Sequence, residues 1–381
     1  FIYLQPMAYF QVIIMGGGLA GLTAAIHLSR EGKRVLLIEK KAYPRHKVCG
    51  EYLSNEVLPY LNSLDIDIQK DLKPVKIHEL LYSTQKAKSI ETSLSLGGMG
   101  LSRYALDDFL FKKAEEYGAE TLINSVENIN FEKDKFNLKL SSGKELSAPI
   151  VLGAFGKRSN IDKSLEREFI QEKSSWLAIK SHYEDVEFPE NLVALHNFEG
   201  GYCGLSKTET GVVNACYMVS YKSFKKYRNT EEFKEKVLFQ NAYLKGFFKR
   251  AKPLFEKDLS IAQISFQEKS LINNHILMLG DAAGLIHPLC GNGMAMAIHS
   301  GKIASEAVLN NFQGNNLDRK NLENQYRQNW STYFENRLKT GRILQRILIN
   351  PILASTSQQL VKKFPYLLEK IISKTHGQPI V

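Results

Sequence analysis

The chain has 381 residues, 44 % hydrophobic and 24 % charged, with a formal net charge of +10 at pH 7. This is the composition of a globular protein long enough for two domains. No run of 18 apolar residues exists, which argues against a transmembrane helix, and Cys49, Cys203, Cys216 and Cys290 lack C-x-x-C spacing, which argues against a zinc site or a disulfide framework. The excess positive charge allows acidic partners, but no DNA- or RNA-binding motif accompanies it, so nucleic acid is not expected.

The opening FIYLQP carries neither a basic n-region nor an apolar h-region, so no secretory signal is expected; Met7 reads as the natural start and residues 1–6 are set aside. A cytoplasmic setting follows, with peripheral attachment to a membrane left open. The informative stretch is Gln11 to Glu39. Val12 to Met15 is a short apolar strand, and Gly16, Gly18 and Gly21 supply G-x-G-x-x-G at a strand-to-helix turn. The first glycine permits the turn, the second lets the backbone approach a pyrophosphate, and the third lets helix and strand pack closely. The N–H groups of the following helix, beginning at Leu19 and Ala20, offer positive dipole ends to that pyrophosphate. Val35 opens the next strand and Glu39 closes it, where a carboxylate can accept the hydroxyls of an adenosine ribose.

Lys40, Lys41, Arg45, His46 and Lys47 then place positive charge beside the expected nucleotide, and a helix-like run covers Tyr52 to Leu61. Val75 to Leu96 alternates like strands, and Leu106, Phe109, Leu110 and Ala114 recur at helical spacing just after Arg103, a candidate phosphate contact. Several strands follow, with a Ser-Ser-Gly turn, and the apolar segment Pro149 to Ala154 is expected to rejoin the parallel sheet.

From Ile161 to Ala262 a second domain is expected, with strands in WLAIKSHY, NLVALHNF and GVVNACYMV and glycine turns at Gly200–Gly201 and Gly211. Lys222 to Lys252 holds ten Lys/Arg against three Glu, interleaved with aromatics. It reads as an amphipathic helical layer over a sheet, or alternatively as a docking face for an acidic carrier protein or an anionic membrane. Next comes the strand Ile276 to Leu279, the turn Gly280-Asp281-Ala282-Ala283-Gly284, and then Pro288 and Gly291-Asn292-Gly293-Met294 leading into a helix. Small residues there let backbone run against a flat ligand. From Lys302 the chain is mostly amphipathic helix, with twelve Lys/Arg and five acidic residues.

Together GGGLAG with Glu39, PRHKVCGEYLS, Arg103, LGAFGKRS and GDAAGLIHPLCGNGM resemble the glutathione-reductase-type FAD oxidoreductases. Within them the match is to the group of p-hydroxybenzoate hydroxylase, geranylgeranyl reductases, FixC-like dehydrogenases and flavin-dependent halogenases. The resemblance implies an α/β fold, α+β overall: a discontinuous Rossmann-type FAD-binding domain (8–75, 101–160, 263–310), a mixed β-sheet substrate domain (76–100, 161–262) and a helical C-terminal extension (311–381). It implies that Gly16, Gly18, Leu19, Ala20 and Gly21 bind the pyrophosphate, Glu39 the ribose, and Lys40, Arg45, Lys47 and Arg103 the charged part of FAD. Gly280 and Asp281 would meet the ribityl chain, and the backbone of Pro288, Gly291, Gly293 and Met294 the isoalloxazine.

Departures limit the transfer. The family's alanine-aspartate-glycine is here Ala154-Phe155-Gly156, so nicotinamide handling by that motif is not carried over. With Trp176 and Trp330 as the only tryptophans, the halogenase W-x-W-x-I-P cannot exist, and of the reductases' Y-x-W-x-F-P only Tyr202 remains. Lys47-Val48-Cys49-Gly50 does resemble the reductases' K-x-C-G. No second G-x-G-x-x-G follows a strand, so NAD(P)H, if used, is a transient electron donor. The expected activity is flavin hydride transfer to or from a hydrophobic, carrier- or lipid-linked substrate. The alternative is a monooxygenase hydroxylating or epoxidising through a C4a-hydroperoxide; halogenation and a non-catalytic flavin module rank below both. Cys49, Tyr202 and His287 are the catalytic candidates.

Overall fold

A computed structural model describes residues 10–171, 174–314, 316–364 and 366–381. The segment Phe1 to Pro6 and Met7 lie outside the described residues. Two sheets organise the chain. The first has six strands in the order Ile272–Asn273, Ile276–Met278, Ile150–Gly153, Val12–Met15, Val35–Glu39, Glu120–Ile123. All neighbours run parallel except the hairpin of the first two. Val12–Met15 and Ile150–Gly153 are buried along their whole length, as a strand covered on both faces must be, and this explains their unbroken apolar runs. The helices Leu19–Arg30 and Gly293–Asn311 pack against each other beside this sheet, close enough that a Cβ on Gly301 would meet the Ala20 carbonyl oxygen at 2.7 Å.

The second sheet has nine strands, running from Lys252–Pro253 through Trp176–Glu184, Val213–Ser220, Gly201–Lys207, Leu192–Phe198, Val75–Ser83 and Ser89–Gly100 to Tyr52–Ser54, with Leu259–Ala262 also paired to Trp176–Glu184. One expectation is corrected here. Tyr52 to Ser54 is an edge strand paired with Gly98–Gly100, and only after a turn does the helix Leu58–Ser63 begin. The chain turns at Gly200 and Gly211 as expected, both at positive φ, and Gly201 to Lys207 between them is an inner strand. A Cβ on Gly201 would lie 2.0 Å from the Met218 carbonyl oxygen, so the glycine is there for close strand approach.

The basic, aromatic segment is the helical layer: Thr230–Lys236 and Ala242–Arg250 bury Phe233, Leu244 and Phe247 against Tyr183, Phe198 and Tyr217 of the large sheet. A small three-stranded sheet, Val126–Glu132, Lys135–Leu140 and Glu145–Ala148, carries the Ser-Ser-Gly turn. The C-terminal helices Arg319–Trp330, Asn336–Ile349, Pro351–Lys363 and Tyr366–Thr375 close the molecule.

Candidate active site

The strand Val12–Met15 delivers Gly16 at φ +112°, where a Cβ would lie 2.4 Å from the Ala154 carbonyl oxygen. Gly21 packs helix onto strand, its virtual Cβ 2.0 Å from the Gly16 carbonyl oxygen, and Gly17 is hemmed in by the Tyr43 hydroxyl at 1.8 Å. Gly18 faces open space, and the helix it starts has no side-chain cap. Its first N–H groups are therefore available to an anion. The carboxylate of Glu39 accepts N–H bonds from Gly17 at 2.8 Å and Lys41 at 3.2 Å, and pairs with Arg45 at 2.9 Å. Arg45 also donates to the carbonyls of Lys41 and Ala42. Its guanidinium thus steadies Glu39 and the loop while lining the same end of the cavity.

Behind this cradle runs a buried ionic seam. Asp107, fully buried, accepts two bonds from Arg103, at 2.7 and 2.8 Å, and one from Lys47 at 2.7 Å. Burial opposes its charge, but the two cations outweigh it and hold the carboxyl below its ordinary range. Lys47 is pushed down to about 8, by burial first and by the Arg103 charge second. Alongside, Glu51 is fully buried at φ +55°. It accepts bonds from the Arg103 backbone N–H at 2.8 Å, from the Lys180 ammonium and from His182 Nε2 at 2.6 Å. Burial again opposes the charge, and His182 and Lys180 overcome it, leaving the Glu51 carboxyl lowered. A ring nitrogen of His46 lies within 4.8 Å of the Glu51 and His182 ligand atoms. Sequence reasoning did not single out Asp107, Glu51, Lys180 or His182. The available signals were Asp107 four residues after Arg103 on one helix face, and Lys180 and His182 at alternate positions of one strand, in phase with Trp176 and Ala178.

The Gly280–Ala282 turn is fixed from below by two more cations. Arg167 donates to the Ala282 and Ser270 carbonyls at 2.9 and 2.8 Å and pairs with Asp162 at 2.8 Å; Lys269 donates to the Asp281 and Lys157 carbonyls at 2.7 and 3.0 Å. With those carbonyls bound, the Gly280–Asp281 stretch is held against the cavity wall.

One cavity of about 1110 Å³ joins these parts. Gly16, Gly18, Leu19, Ala20, Glu39, Lys40, Arg45, Lys47 and Arg103 line one end, and Gly280, Asp281, Pro288, Gly291, Gly293 and Met294 line the wall beyond. Phe155, standing where the family has aspartate, is also on the wall and contributes an aromatic surface instead of a carboxylate. The space continues between Leu80, Leu94, Val193, Leu195 and Tyr202 of the large sheet and Leu344, Ile347, Val361 and Ile372 of the C-terminal helices. Cys49 is on this wall, its Sγ accepting the Glu51 N–H at 3.5 Å and lying beside the Arg103 guanidinium. Tyr202 is on it too, its hydroxyl held protonated by burial. His287 is not. It lies off the cavity against Phe266 and Tyr202, and burial lowers it to about 3, so at neutral pH it is an uncharged imidazole and no acid. The structure thus leaves His287 apart from the residues that line the cavity, with burial opposing its charged form.

The FAD binding domain family matches residues 9–314. The chain belongs to that family. It is 27 % identical over 358 residues to the digeranylgeranylglycerophospholipid reductase of Methanosarcina acetivorans, covering 90 % of this chain and 85 % of the relative. To the menaquinone reductase of Mycobacterium tuberculosis it is 23 % identical, covering 78 % and 76 %. The flavin-dependent brominase Bmp2 superposes with a TM-score of 0.78 at 19 % identity, over 96 % of this chain and 92 % of that one, which speaks to the fold alone. The protein is an FAD-dependent oxidoreductase of this fold. The residues present fit the cofactor: a bare backbone facing open space at Gly18, an uncapped helix start for the pyrophosphate, and a cavity that runs on to the small-residue turn at Gly291–Gly293.

Proposed function

We propose that the protein is a reductase that saturates a carbon–carbon double bond in a long, apolar, lipid-linked substrate. The observation carrying this reading is the continuity of the cavity from the charged nucleotide end into a chamber walled by aliphatic side chains of sheet and tail. Such a chamber suits a hydrocarbon chain, whose burial contributes about 0.8 kcal/mol per CH₂. The likeness to a digeranylgeranylglycerophospholipid reductase and a menaquinone reductase supports the same direction.

Reduced FAD supplies hydride when bound. The chain's own residues then do three things. The glycine cradle and the seam of Arg103, Lys47 and Asp107 hold the nucleotide end; the apolar walls exclude water and align the double bond; and a protonated side chain on the wall completes the addition. Cys49 suits the last task, because the thiolate left after proton donation would face the Arg103 guanidinium. Tyr202, uncharged and on the apolar wall, orients the substrate. NAD(P)H or another donor reduces the flavin from outside, as no second dinucleotide fingerprint is present in the sequence.

The test is anaerobic. Photoreduced protein is mixed with an alkenyl glycerolipid in detergent and flavin reoxidation is followed by absorbance. Substrate-dependent reoxidation with a saturated product is expected, and Cys49→Ser is expected to lower kcat at least about tenfold while leaving FAD content unchanged. Reoxidation that ignores the lipid, or one that needs oxygen and yields a hydroxylated product, overturns the reading.

A further inference from the structure

The C-terminal helices are apolar on two faces. Inward, Leu344, Ile347, Val361, Ile371 and Ile372 line the cavity. Outward, Ile352 is 76 % exposed, Leu353 47 %, Leu360 51 %, Phe364 39 % and Tyr366 60 %. Among the described residues thirteen large hydrophobics are exposed, and these five fall within positions 352–366. A helix in water needs one apolar stripe to hold it to its protein; a second, exposed stripe has no partner within the fold. On Pro351–Lys363 the residues Ile352, Leu353 and Leu360 fall within an arc of about 100°, with Val361 on the cavity side. That helix packs chiefly on its chain neighbours, Asn336–Ile349 and Tyr366–Thr375, and so forms the outermost layer. Arg346, Lys363, Lys370 and Lys374 are exposed around the patch.

We infer that the outer face of residues 352–366 docks on an anionic lipid bilayer, its apolar side chains entering the headgroup boundary and its basic ones pairing with lipid phosphates. Charge selects this occupant. The chain is +10 overall and its tail carries twelve Lys/Arg against five acidic residues, so a second copy meeting the patch would be repelled whereas an anionic surface is attracted. The cap is one helix layer thick between patch and cavity, and its end is clasped by Glu56, which accepts the Gly377 N–H at 2.5 Å and pairs with Arg337 at 3.3 Å. A lipid-linked substrate would therefore pass from bilayer to cavity beside helices already seated in the interface. This last clause rests on the reductase reading; the docking itself does not.

The experiment is co-sedimentation of the FAD-loaded full chain with phosphatidylglycerol–phosphatidylcholine vesicles, and with phosphatidylcholine alone. Binding to the anionic vesicles is expected. The triple variant Ile352→Glu, Leu360→Glu, Phe364→Glu is expected to weaken it at least about a hundredfold, and Lys363→Ala with Lys370→Ala roughly fivefold per residue, at unchanged flavin absorbance. Equal vesicle binding by wild type and triple variant, no binding by wild type, a wild-type dimer that the variant dissolves, or capture only by an acidic protein overturns the inference. Vesicle binding with no lipid-dependent reoxidation in detergent would leave docking standing and remove the reductase reading.

Discussion

The nucleotide cradle and the ionic seam behind it are a few ångströms apart and are built in opposite ways. The cradle is backbone from one contiguous stretch, and its demand is for the absence of side chains: at Gly16 and Gly21 the colliding atoms would be main-chain carbonyls, which cannot swing away. The seam is made of side chains, Lys47 and Glu51 from one loop, Arg103 and Asp107 from a helix, Lys180 and His182 from a strand 129 and 131 residues after Glu51. It ties the large sheet to the loop and helix beside the cradle through buried charge, each member satisfied only because the others are present. The first region should therefore fail by losing its ligand, and the second by losing the fold.

Glu51→Gln tests the second half of that contrast most severely. It leaves the Lys180 ammonium buried without its counter-charge, and a loss of about 3–5 kcal/mol of unfolding free energy in denaturant titrations is expected. A stability within error of wild type would mean the seam is not what ties the large sheet to the loop and helix beside the cradle. Gly21→Ala tests the first half. FAD affinity by fluorescence titration is expected to fall at least about a hundredfold, or about 2.7 kcal/mol, with far-ultraviolet circular dichroism retained. Global unfolding instead would erase the distinction between the regions.

A smaller effect separates the regions by pH. Burial lowers His196 to about 4 and His287 and His299 to about 3, against 6.5 when unfolded. Their contribution is complete above pH 6.5 and is lost as pH falls, because the unfolded chain takes up protons the folded one refuses. Each contributes a slope of up to about 1.4 kcal/mol per pH unit. Glu51, lowered from 4.5, adds its loss only below that value. Unfolding measured from pH 7 to 4 should thus steepen below 6.5, His299→Phe should remove one proton's slope, and Glu51→Gln should leave the 6.5-to-5 segment unchanged.

Much of the cradle was legible because its requirements are local. Strand, glycines, helix and Glu39 sit within 29 consecutive positions, Gln11 to Glu39, and each obeys a rule of backbone geometry. The turn at Gly280–Gly284 and the parallel strand Ile150–Gly153 were readable for the same reason. A misreading fell where a partner strand decided the outcome: Tyr52 to Ser54 has no local preference strong enough to resist pairing with Gly98–Gly100. The setting of His287 was not legible, because a sequence shows a titratable ring but not the burial that lowers it.

By itself, then, the sequence determined the α/β frame, the FAD cradle and the presence of a basic amphipathic tail, since turns, helix starts and periodic apolar faces are set by neighbours in the chain. Only the tertiary structure decided that Asp107, Glu51, Lys180 and His182 converge, that Arg45 serves Glu39, and that the tail is one wall of the cavity with a second apolar face left outward. Those facts depend on how side chains and segments meet in space, Lys180 and His182 reaching Glu51 across 129 and 131 residues of chain, which packing fixes and local propensity does not encode.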